Sequence, residues 1–149
     1  MVAQTVSVEI EGTELDAALT RIVAVLADPS AAMDQIGRYL VASTLRRFER
    51  ERAPDGSPWL KSARALAEGG RTLTDTGRLR DSIAHTVTDG GYAVEVGSNV
   101  IYAAIHQFGG RAGRGRKARL PARPYLGIDD RDRTNIMRIV SRALERAGT

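Results

Sequence analysis

Hydrophobic positions recur with two different periods along this chain. Residues 5–11 alternate, with Val6, Val8 and Ile10 on one side, which predicts a half-buried strand. Gly12 ends that run. Thr13 then caps a predicted helix over 13–27, where Leu15, Ala18, Leu19, Ile22, Val23 and Leu26 follow i, i+3, i+4 spacing until Asp28-Pro29 stops it. A longer helix is predicted over 30–52, with the stripe Met33, Ile36, Leu40, Val41, Thr44, Leu45 and Phe48. Arg46, Arg47, Glu49, Arg50, Glu51 and Arg52 crowd its end and read as a solvated face whose cations suit the negative end of the helix dipole. Pro54-Asp55-Gly56 is a turn that the helix does not pass.

Beyond Trp59 the pattern weakens into a short helix over 60–67, a break at Gly69-Gly70 and one or two helical turns over 76–82. Ile83, His85 and Val87 then alternate, Asp89-Gly90-Gly91 turns the chain, and Tyr92, Val94 and Val96 alternate on the return, giving a hairpin near 83–96. Ser98 or Asn99 caps a short helix over 100–108, which Gly109-Gly110 ends. An extended loop fills 109–124. Tyr125-Leu126-Gly127-Ile128 reads as a last strand, and a helix over 129–147 opens on Asp129, Asp130 and Asp132 and carries Ile136, Ile139, Val140, Ala143 and Leu144. The sum is a single α+β domain over 1–149, in which a small antiparallel sheet of about four strands packs against two or three longer helices (13–27, 30–52 and 129–147).

Charge sharpens this outline at one place. The net charge is +4, yet no Asp or Glu lies between Gly97 and Ile128, and the loop holds Arg111, Arg114, Arg116, Lys117, Arg119 and Arg123. Without those six the balance becomes −2 (16 cations against 18 acids), so the basicity belongs to one loop rather than to the surface as a whole. Twenty of the 22 cations are Arg, the side chain suited to bidentate contact with carboxylate or phosphate. Twenty-one residues are Ala and only 5% are aromatic, which leaves a lean core that subunit contacts would reinforce. No membrane-length apolar run or signal-peptide pattern is visible, which predicts an intracellular origin.

Candidate chemistry is sparse. The absence of Cys excludes thiolate metal sites and disulfides, and two isolated His make a His-only zinc site a poor reading. Gly109–Arg119 has glycines and Lys117 but lacks P-loop spacing and a hydroxyl residue after the Lys. His106 has no Ser or Cys partner at a telling spacing, and His85 lies on the apolar side of its strand, so both read as structural. No catalytic, cofactor or metal residue is assigned. The Arg-rich loop has three open readings: docking on an acidic protein surface, insertion into a DNA minor groove, or a solvated loop.

Several blocks, in order, resemble the phage virion morphogenesis family, the tail-completion proteins of Mu-like and related tailed phages. They are Arg47-Phe48 leading through Glu51 to Pro54-Asp55-Gly56-Ser57-Pro58-Trp59; Leu73-Thr74-Asp75-Thr76-Gly77-Arg78-Leu79-Arg80-Asp81-Ser82-Ile83; Val96-Gly97-Ser98-Asn99 with Tyr102-Ala103-Ala104-Ile105-His106-Gln107-Phe108-Gly109-Gly110; and Pro121-Ala122-Arg123-Pro124-Tyr125-Leu126-Gly127. The resemblance runs from about Ala31 to the C-terminus. It implies a structural protein without cofactor or catalysis, found in the virion at the neck and in the host cytoplasm during assembly. Its motif residues would be structural: Phe48 and Trp59 tying the irregular segment to the long helix, Gly77 and Gly127 allowing tight backbone, and Tyr102–Phe108 setting the base of the basic loop.

A neck protein must close a ring around the DNA path through heterologous contacts, with about six copies expected. Its partners would be further copies of itself and neighbouring connector, stopper and tail-tube proteins, with DNA contact in the lumen a further expectation, and with neither membrane nor small-molecule substrate. The alternatives are a head-completion (stopper or connector) ring, which needs the same ring-forming physics, and a DNA-contacting accessory protein using the Arg-rich loop.

Overall fold

A computed structural model describes residues 6–7, 17 and 29–147 of the chain. The apolar stripe of the long helix winds into α1 (Ser30–Arg50), which buries Met33, Ile36, Thr44 and Phe48 and leaves Leu40, Val41 and Leu45 partly covered. The helix stops before the predicted residue 52. Glu51 turns into left-handed backbone at φ 53° with its N–H bonded to the Arg47 carbonyl, and Arg52 pairs with Pro58 in an isolated bridge. Arg47 also departs from expectation, being 6% exposed. Helical spacing places it below Ser43 and Thr44 on the covered face, where it meets the Asp132 carboxylate of the last helix.

The predicted hairpin forms from β2 (Ala84–Thr88) and β3 (Ala93–Ser98), antiparallel in the register Ala84↔Gly97 to Thr88↔Ala93 and closed by one 3-10 turn at Asp89–Gly91. Ile83 falls just outside the strand yet is buried, whereas Tyr92 precedes β3 and is 49% exposed. β1 (Val6–Ser7) adds to the other edge of β3, giving the order β1-β3-β2. The rest of the predicted strand over 5–11, and the predicted helix over 13–27 apart from helical Ala17, lie outside the described residues.

Three short helices follow α1 in the described chain: α2 (Ala63–Glu68), α3 (Arg78–Asp81) and α4 (Ala103–Phe108). The Ser62 hydroxyl accepts the Ala65 amide hydrogen at 3.1 Å and starts α2 three residues later than the pattern suggested. Gly77, at φ 79°, turns the chain into α3. α4 begins at Ala103 rather than at Val100; ahead of it the Ser98 hydroxyl accepts the Val100 amide (3.1 Å) and the Ala103 amide closes a turn on the Val100 carbonyl (3.0 Å).

The segment expected as an extended loop contains a second, two-stranded sheet, β4 (Gly110–Ala112) with β5 (Ala118–Leu120). Residues 125–128 do not form the predicted strand; their polar backbone groups are met by side chains, as described below. α5 (Asp130–Ala147) then returns along α1.

Packing produces two apolar clusters. Phe48, Trp59, Leu79, Ile83, Tyr125 and Leu126 belong to one, and Met33, Ile36, Ile136, Ile139 and Val140 form the other between α1 and α5. α1 approaches the sheet at Gly37, where an added Cβ would lie 2.3 Å from the His85 ring and 2.8 Å from Val94 Cγ2. Gly37→Ala is expected to destabilise the fold by about 1–2 kcal/mol, the cost of overpacking exceeding the gain in helix propensity. Urea denaturation measures it, and a variant as stable as the parent would show that the sheet gives way freely.

Candidate interaction hairpin

The β4–β5 hairpin pairs Gly110 with Leu120, Arg111 with Arg119 and Ala112 with Ala118, and a 3-10 turn at Arg114–Arg116 closes its tip. Gly113 and Gly115 have positive φ of 80° and 69°, and Arg116 has 54°, so the turn relies on left-handed backbone that glycine adopts readily. Arg111, Arg114, Arg116, Lys117 and Arg119 are exposed. Among the described residues none of the five forms an ion pair. Without them the chain sums to −1 (17 cations against 18 acids). The result is a local positive protrusion on a nearly neutral body.

Arg123, grouped with those cations by sequence, is turned inward. It is 5% exposed and donates from Nε to the Leu60 carbonyl at 2.6 Å, while its amide bonds the His106 carbonyl at 2.8 Å. Its role is therefore to fasten the base, not to meet a partner. Gly109 makes the opposite side of that base. At φ 73° it runs so close to the returning chain that a Cβ would lie 2.7 Å from the Ala122 nitrogen and 2.9 Å from the Leu120 carbonyl oxygen.

Gln107 supplies the central fastening. Its side-chain oxygen accepts the amides of Tyr125 and Leu126, and its Nε2 donates to the Leu126 carbonyl, each at 3.0 Å. One side chain thus stands in for a neighbouring strand, which explains why 125–128 lacks a ladder. Arg47 Nη1 donates to the carbonyls of Tyr125 (3.1 Å) and Gly127 (3.0 Å), and Trp59 Nε1 donates to that of Pro124 (2.8 Å). Phe48 stacks edge-on to Trp59 at 5.6 Å and lies 5.2 Å from Tyr125. Gly127 approaches Pro54, where a Cβ would lie 2.7 Å from Pro54 Cγ.

Other motif residues serve local turns, face solvent or fill the body beside the hairpin. Asp55 accepts the Ser57 hydroxyl (2.5 Å) and amide (2.9 Å), which hold its carboxyl below the usual range, and Gly56 completes the turn at φ 86°. Leu79 is buried, Arg78 is exposed, and Phe108 is 62% exposed at the foot of the hairpin. Pro121 is half-buried where β5 returns to the body. His106 stacks edge-on to Tyr102 at 5.8 Å, and its Nδ1 has no hydrogen-bond partner among the described residues. Burial, with Arg123 nearby, pushes its pKa below the ordinary histidine value, so it is neutral near pH 7. His85 bonds Asp34 Oδ1 at 2.8 Å through Nε2.

A buried polar junction escaped the sequence reading. Arg47 Nη2 meets Asp132 Oδ2 at 2.5 Å and Asp129 at 3.4 Å, while the Ser43 hydroxyl donates to Asp132 Oδ1 at 2.6 Å. Asp129 and Asp132 also exchange amide bonds at 3.0 and 2.7 Å, a capping box that starts α5. The usable signals were the Asp-x-x-Asp pair and the helical spacing that puts Ser43 and Arg47 beside Thr44 and Phe48.

Among the described residues no group of three or more His, Asp or Glu is placed to hold a metal ion, and no helix is long and apolar enough to cross a membrane. A profile of the phage virion morphogenesis family matches residues 10–145. The chain is 36% identical over 124 residues to Mu-like prophage FluMu G protein 2 of Haemophilus influenzae, covering 83% of this chain and 84% of the relative. It is 42% identical over 102 residues to protein G of Escherichia phage Mu, which is named for capsid assembly, covering 60% of this chain and 63% of the relative. No solved structure matches.

Proposed function

Because the chain belongs to the phage virion morphogenesis family, we propose that it acts as a ring of the tail-completion, or tail-terminator, type at the head–tail junction, where it joins tail to head. Its role in building the virion is structural rather than catalytic. The observation that carries this reading is the β4–β5 hairpin, five exposed cations on a base fastened by Gly109, Gln107 and Arg123. A protrusion of one charge sign, repeated on every copy, selects and orients an acidic face on a neck or tail protein. Phe108, exposed at its foot, adds the apolar anchor that interface centres favour. Closure by heterologous contacts between about six copies gives a ring around the DNA path.

Phage in which a tight turn replaces residues 111–119 is expected to accumulate full heads and unjoined tails, while the purified variant keeps the circular dichroism of the parent. Normal yields of infectious particles from that phage would sink the proposal. The name of the phage Mu relative favours a second reading, a head-completion ring. Micrographs of the variant lysate separate the two. Tails of irregular length support tail completion, and uniform tails beside emptied heads support the head-side ring.

A further inference from the structure

Four arginines outside the hairpin gather around another feature. A cleft of about 140 Å³ lies where the end of α1, the 52–56 turn and the start of α5 meet, and Arg46, Arg50, Arg52 and Arg131 line it. Asp129 is the one acid of its described lining, and it already faces Arg47 at 3.4 Å. Arg46 rests over the Tyr39 ring at 5.7 Å, and Arg52 donates to the Gly56 carbonyl at 2.8 Å. Among the described residues none of the four is in ion-pair contact with a carboxylate.

Gathering like charges raises the energy of each, and an anion seated among them relieves it. A single carboxylate would leave about three of the four charges uncompensated, whereas duplex DNA presents one negative charge per about 1.7 Å of its axis. Guanidinium forks match phosphate oxygens in pairs. We propose that this cleft is a contact site for the phosphate backbone of duplex DNA, separate from the hairpin. It does not depend on the tail-completion reading, since it requires only that the protein meet packaged or passing DNA.

The test is fluorescence anisotropy of a short labelled duplex with the full-length protein over a salt series. Arg46→Gln/Arg50→Gln/Arg131→Gln is expected to weaken binding by about tenfold or more and to lower the slope of log affinity against log salt by about 3. Arg114→Gln/Arg116→Gln/Lys117→Gln in the hairpin should leave the cleft's share of that slope in place. Should the triple cleft variant misfold by circular dichroism, Arg50→Gln and Arg131→Gln alone, at exposed positions, are each expected to lower the slope by about 1. Three results overturn the proposal: no binding by the parent protein, binding indifferent to the cleft variants, or a change in oligomer mass in place of DNA affinity, which would give the cleft to an acidic protein surface.

Discussion

Asp132→Ala is expected to cost about 3–5 kcal/mol of folding stability, because it leaves the Arg47 guanidinium buried without its main counter-charge. The same substitution removes the Ser43 bond and half of the capping box that starts α5. Urea denaturation reads the loss, and a change below about 1 kcal/mol would mean that water or Asp129 takes over the charge. Removing both charges is a different matter. Arg47→Met with Asp132→Leu is expected to recover part of the loss, since well-packed apolar residues often match a buried ion pair, although the Tyr125 and Gly127 carbonyls then lose their donor.

The same junction sets an acid dependence. Burial pushes the Asp132 carboxyl up, but the Ser43 hydroxyl, the Asp129 amide and Arg47 together outweigh it and hold the pKa below its ordinary value. The unfolded chain therefore takes up this proton first as pH falls. The stabilising contribution is complete above the unfolded value of about 3.9 and is lost below it, through the lower folded pKa. Asp132→Asn lacks this component, so the gap in stability between parent and variant should narrow as pH is lowered past about 4.

Gln107→Leu is the second large loss expected, at roughly 3–5 kcal/mol, because two buried amides and one carbonyl lose their partner at about 1–3 kcal/mol each with incomplete additivity. The side chain keeps its bulk, so the effect isolates hydrogen bonding from packing. Hydrogen exchange locates it. The amides of Tyr125 and Leu126 should lose protection while those of α1 keep theirs. Uniform loss across the chain would instead mean that 121–128 unfolds only with the whole domain.

Periodicity revealed α1, the β2–β3 hairpin and α5, because each buries one regular face that recurs in the sequence. It misread the two places where side chains replace regular structure. Tyr125-Leu126 alternates like a strand, yet its partner is Gln107, and no periodic signal encodes a side chain that imitates a ladder. Arg47 looks like one member of a charged helix end, but its surroundings depend on Asp132, 85 residues away in sequence. The loop cations were legible as a cluster. Arg123 was misplaced among them because an arginine that caps a carbonyl in the interior has the same letter as one that faces solvent. The family blocks, by contrast, fall on the junctions themselves: Phe48, Trp59, Gln107 and Gly127 meet around one crossing of the chain.

That crossing separates what is free to vary from what is not. The hairpin leaves the body through Gly109 and re-enters at Ala122, and this pinch is held from within by Gln107 and Arg123. Residues 113–119 between the two sides are all exposed, and closing a somewhat longer or shorter excursion across a fixed gap changes the free energy little. The hairpin therefore behaves as a cassette: its length and charge can change while the pinch at its foot leaves the domain that carries it undisturbed.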